Sequence, residues 1–145
     1  MKNWPIPVFL SLSGLLLLAI GGGILLAPQA FHASNGIVLD SDATLMSEIR
    51  APGGLLLASA LFILVGAWRP SQRSSAVALS VLVYGSYGIA RVVGMALDGM
   101  PSSGIVVAAA IELVVAGLGI GILWRRSVVL AKDPVSGLDA ATVAH

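Results

Sequence analysis

The sequence predicts an all-α fold, an integral membrane antiparallel four-helix bundle, on three observations. Hydrophobic residues make up 57% of the chain and charged ones 10%, with a mean hydropathy of +0.98, where a soluble domain carries about 25% charged and about 45 to 50% apolar residues. Four apolar runs of bilayer-crossing length, about 20 residues each, fit within the 145 residues with short connectors between them. Lysines and arginines gather in alternate connectors, the pattern that four antiparallel spans produce under the positive-inside rule.

The first span is residues 6–27, free of charge and long enough for about 33 Å of helix at about 1.5 Å per residue. An N-terminal lysine before an apolar run resembles a signal peptide. This run exceeds the usual apolar region of about 7 to 15 residues, and Pro28 spoils the small-residue cleavage pattern, so it reads as a retained span. Pro28 ends that helix, and the polar segment from Gln29 to Thr44 reads as a loop. The second span is residues 45–68. Pro52-Gly53-Gly54 lies close behind Glu48 and Arg50, so either the helix proper starts near Ala51 or a lead-in helix bends there. Arg69 to Arg73 is a tight turn, residues 74–97 the third span, Asp98 to Ser103 the next turn, and residues 104–124 the fourth span. Trp124-Arg125-Arg126 has the look of a helix leaving the bilayer on the cytoplasmic side. Residues 1–127 thus form one four-span domain, and residues 128–145 read as a disordered cytoplasmic tail.

Lys2, Arg69, Arg73, Arg125, Arg126 and Lys132 all fall on one side of this arrangement. Both termini and the middle turn are therefore expected in the cytoplasm, and Asp40, Asp42 and Asp98 outside. The expected location is a membrane, crossed several times.

Composition also removes function classes. Without cysteine there is no disulfide, thiol redox chemistry or cysteine-held cluster, and both histidines lie outside the spans, which excludes a haem held between two buried histidines. The net charge of +1 gives no footprint for nucleic acid. The spans hold serines but no histidine to activate one, so no nucleophile-base pair suits acyl transfer; the chain is not expected to be an enzyme, and neither a cofactor nor a metal is called for. His32 reads as a solvated loop residue. Gly21-Gly22-Gly23 and Gly117-x-Gly119-x-Gly121 read as small-residue packing seams.

The residues that point to function are the ionisable ones left in the spans: Glu48, Arg50, Arg91 and Glu112. A charge at mid-bilayer costs about 2.5 to 3.5 kcal/mol on insertion scales, so such residues face the bundle interior and pair. Arg91 precedes the turn at Asp98 by roughly 10 Å of helix and Glu112 follows Gly104 by roughly 12 Å, which sets them at nearly the same depth. Their pairing is expected, with Glu48 and Arg50 closing the cluster from above. Tyr84, Tyr87 and Arg91 share a helical face that Asp98 continues, and Ala108, Glu112, Ala116 and Gly119 share another. A structural clasp between helices is the plain reading of such a cluster; a ligand site is the functional one.

The strings Ser47-Glu48-Ile49-Arg50-Ala51-Pro52-Gly53-Gly54, Tyr87-Gly88-x-x-Arg91, Ala96-Leu97-Asp98-Gly99-x-Pro101-Ser102 and Glu112-Leu113 resemble a family of small bacterial membrane proteins known as domain of unknown function 4345. The likeness covers about Phe9 to Trp124, and the layout is similar to DoxX-like four-helix proteins, some of which accompany quinone or redox enzymes. It implies a bacterial inner membrane and marks Glu48, Arg50, Arg91, Asp98 and Glu112. The expected role is an accessory or binding protein of unassigned activity, with an outward-facing ionic cluster. Through Arg50 and Arg91 that cluster would read the polar or anionic group of a lipid, a quinone-like molecule, or a partner membrane subunit or second copy, since the arginine fork suits carboxylate and phosphate. The rival is a small proton-coupled transporter acting as a dimer. Small exporters of that kind carry their membrane carboxylate in the first helix, and here the first span has none.

Overall fold

A computed structural model describes residues 5–132, and four of its helices are long and apolar enough to cross a membrane. Helix α1 is Pro5–Leu26 and α2 is Pro28–Ala33. Helix α3 is Ala43–Trp68, and a 3-10 turn, Pro70–Gln72, leads into α4, Arg73–Asp98; α5 is Ser103–Lys132. There is no strand among the described residues.

Local chemistry sets these ends. Pro5 opens α1 and Pro28 sits at the start of α2, where the first N–H groups of a helix have no intrahelical partner to lose. The Asp42 carboxylate accepts the Leu45 N–H at 2.9 Å and caps α3. That cap starts α3 well ahead of Pro52, which stays inside a continuous helix, so Glu48 and Arg50 belong to the span itself.

Three boundaries differ from the sequence reading. The segment after α1 is not all loop: Pro28 begins a short helix, and its end is closed by Gly36, with φ 80° in the left-handed region. The Gly36 N–H bonds to the Ala33 carbonyl and the Ile37 N–H to the His32 carbonyl, both at about 3.0 to 3.1 Å, which is the Schellman pattern. The second difference is at Pro52, where the alternative of a helix starting near Ala51 gives way to one that already runs from Ala43. The third is α5, whose backbone continues to Lys132, into the stretch expected as tail. The rest of that expected tail, 133–145, lies outside the described residues.

The helices associate as two close pairs, α1 with α3 and α4 with α5, and the pairs meet through α3 and α4. The α1–α3 crossing is a backbone approach: a Cβ on Gly21 would stand 2.6 Å from the Leu57 nitrogen, and one on Gly53 2.8 Å from the Leu25 nitrogen. Small residues that admit such approach are the usual means of helix association in lipid, where apolar burial between helices gains little. Leu10, Ala60, Ile63, Ala76 and Val77, all fully buried, form the core where the two pairs touch. Leu12, Leu15, Leu55, Leu82, Val114 and Leu118 are exposed, as the outer surface of a lipid-embedded bundle would be.

Candidate functional site

On α4 no residue beyond Gly88 is buried, so the core ends there and the two helix pairs splay apart toward α2. The splay encloses a cavity of about 560 Å³, within the range of about 300 to 1,000 Å³ usual for small-molecule sites. Leu17, Ile20 and Ile24 of α1, with Ile49 and Leu56 of α3, make one apolar wall. Phe31, His32, Asn35 and Ile37 cover it from the α2 segment. Opposite stand Tyr84, Tyr87 and Arg91 of α4 and Ala108 and Glu112 of α5, with Glu48 and Pro52 of α3 on the near side.

Arg91 and Glu112 form the ion pair expected from their depths. The Arg91 Nε donates to both carboxylate oxygens, at 3.2 Å to Oε1 and 3.0 Å to Oε2. Glu112 is 7% exposed, while the Arg91 side chain keeps 31%. One turn before Arg91, Gly88 brings α4 against α5; a Cβ there would stand 2.9 Å from Leu113 and 3.3 Å from the Glu112 Cβ. The carboxylate therefore meets the flank of the guanidinium, through Nε. Neither Nη of Arg91 has a hydrogen bond among the described residues. Charge-assisted bonds of this kind hold a side chain more firmly than neutral ones, so Glu112 fixes the arginine and its outer fork stays available.

The tyrosines on the same face divide their roles. Tyr84, 2% exposed, donates its hydroxyl to the Ser13 carbonyl at 2.6 Å and so ties α4 to α1 across the cavity floor. Tyr87 is half-buried, lines the cavity, and makes no hydrogen bond among the described residues.

His32 belongs to this site, although sequence reasoning left it in solvent. Its Nδ1 lies 2.8 Å from the Pro28 carbonyl; since a carbonyl only accepts, Nδ1 carries a proton, and the tautomer with that single proton leaves Nε2 as an acceptor. The ring meets the Phe31 ring edge-on at 5.6 Å. The signal that could have placed it is the Pro28…Asn35-Gly36 punctuation, a helix start and a left-handed stop eight residues apart.

The expected closing of the cluster by Glu48 and Arg50 is only half realised. Glu48 is exposed and lines the same cavity, and Pro52 leaves its carbonyl without the usual i+4 N–H. Arg50 instead faces a separate open groove with Leu25, Met46, Ser47 and Gly54. Two residues apart on a helix means about 200° of rotation, so the pair could not both face inward. Asp98, at the end of α4, is exposed and lines neither cavity. Glu48, Arg50 and Asp98 make no ion pair among the described residues.

A family model described as Domain of unknown function (DUF4345) matches residues 6–123. The chain belongs to that family. The matched stretch contains every residue that lines the cavity, so in this DUF4345 protein the site is part of the family domain rather than an appendage to it. No curated protein and no solved structure matches the chain.

Proposed function

We propose that this protein is a binding or accessory protein of a bacterial inner membrane, not an enzyme, and that the cavity around Arg91 holds a lipid-like or quinone-like molecule with an apolar body and a polar head. The observation that carries the reading is the flank-on ion pair. Glu112 engages only Nε, so the Nη groups, beside a free Tyr87 hydroxyl, are donors positioned in a largely apolar cavity. A clasp whose only task was to hold α4 to α5 would use the guanidinium's best edge on the carboxylate. Support for an outward opening comes from charge placement. Arg69, Arg73, Arg125 and Arg126 mark one end of the spans and Asp40, Asp42, Glu48 and Asp98 the other, a distribution that under the positive-inside rule favours cytoplasmic termini. The dimeric proton-coupled transporter has less behind it, because Glu112 is engaged by Arg91 through both oxygens.

Native mass spectrometry of the purified wild type, Arg91→Gln and Glu112→Gln, with their thermal stabilities in detergent, tests this. The expected result is a small molecule retained by the wild type and lost from a still-folded Arg91→Gln. A wild type that carries nothing, with both variants unfolding, would make the pair a structural clasp and end the proposal.

A further inference from the structure

The binding reading leaves open what head group the cavity accepts, and the sequence pointed to a polar or anionic one. The structure points away from the anion. An anion clamp built from two arginines is absent, because Arg50 is turned into the other groove. The cation that does face the cavity, Arg91, is already matched by Glu112, and a second carboxylate, Glu48, faces the same space. The cavity lining thus carries two carboxylates to one guanidinium, and only Glu112 is paired with it. A phosphate or carboxylate head placed on the Nη groups would compete with Glu112 for the same positive charge, feel the repulsion of Glu48, and give up its own hydration in an apolar cavity. A cationic head meets the opposite difficulty: Glu112 is occupied, the available face of Arg91 presents N–H donors of like charge, and the one unpaired carboxylate, Glu48, is exposed and keeps its hydration, so it holds a cation only weakly.

The open valences of the wall are specific. Among the described residues, donors of the lining without a partner include the Arg91 Nη groups and the Tyr87 hydroxyl; acceptors without one include the Asn35 Oδ1, the Glu48 carboxylate and, in its singly protonated tautomer, the His32 Nε2. An uncharged head with a carbonyl and a neighbouring hydroxyl or N–H satisfies both sets at once and has less hydration to lose than an ion. Resting on the binding role proposed above, we infer that the cavity selects an uncharged amphiphile of this class, a hydroxylated ester or an amide. Its carbonyl takes hydrogen bonds from Arg91 and Tyr87, its hydroxyl or N–H bonds to His32 or Glu48, and its chain lies against Leu17, Ile20 and Leu56.

Three probes of equal chain length separate the head groups: 1-monododecanoylglycerol, monododecyl phosphate and dodecyltrimethylammonium. Each is titrated at pH 7.5 into the full chain in phosphatidylcholine nanodiscs, and its apparent Kd is read from the rise of Tm with concentration. The glycerol ester is expected to bind at least tenfold more tightly than either ion. In Tyr87→Phe, which removes a hydroxyl bonded to nothing in the protein, the ligand-free Tm stays put and the ester weakens about fivefold, the worth of one neutral hydrogen bond. An ion that binds as tightly as the ester, or an ester indifferent to Tyr87→Phe, overturns the head-group assignment and leaves the binding role standing. A chain whose Tm none of the three raises overturns the binding role itself.

Discussion

The same two helix pairs meet closely near the Pro70–Gln72 turn and stand apart near α2, and side-chain size accounts for the difference. By the turn, Gly66 of α3 lies directly against the Ala76 Cβ of α4, with Ala60 and Ala67 buried close by. Toward α2 the facing positions are Leu56, Tyr84, Tyr87 and Arg91, which prop the pairs open and line the space they create. In lipid, helices approach as closely as their interfacial residues allow. The closed half therefore does the work of assembly, and the open half is free to carry polar groups that would be a liability in a packed core.

The sharpest way to break that contrast is to put bulk into the closed half. Gly66→Leu drives a side chain into Ala76 and should lower stability by about 3 kcal/mol or more, measured as the shift of an unfolding titration in mixed micelles. The same substitution at Gly117, with nothing near its Cβ, should shift the titration by less than about 0.5 kcal/mol. Next in size is the ion pair. Arg91→Gln strands a carboxylate that is 7% exposed and should cost about 3 kcal/mol, near the lower end for a broken buried pair because Arg91 itself is partly open. Tyr84→Phe removes the bond to Ser13 that spans the two pairs, and about 1 kcal/mol should go with it in the same titration. Smallest of all, Arg50→Gln and Asp98→Asn should stay within about 0.5 kcal/mol and leave any retained molecule in place, since neither residue lines the cavity.

How far the sequence disclosed this molecule follows from what each signal measures. The cost of charge in lipid picked out Arg91 and Glu112, and equal helical depth paired them, because both arguments need only position along a span. Helical spacing likewise placed Tyr84 and Tyr87 beside Arg91. Arg50 escaped because the cost of burial says that a charge near a span must be accommodated, not on which face of the bundle; near the start of α3 it reaches an open groove. Asp98 followed the Arg91 line on paper, but α4 has left the core by that point. His32 and α2 were passed over because a polar stretch was weighed by composition, while the helix there is held by its ends: a proline start, and Ser34, Asn35 and Gly36 closing its last carbonyls. The splay that makes the cavity depends on which spans pair, and no periodicity reports that.

The most direct test of the account uses the double variant Arg91→Met/Glu112→Leu. Replacing both members with apolar residues of similar size removes the charges without stranding either, so most of the stability lost in Arg91→Gln should return. Native mass spectrometry of that variant beside the wild type is the decisive measurement. The expected result is a folded protein from which the small molecule carried by the wild type is gone. A folded double variant that still carries the same molecule would contradict it, for the ion pair would then be fastening helices and the ligand reading something else.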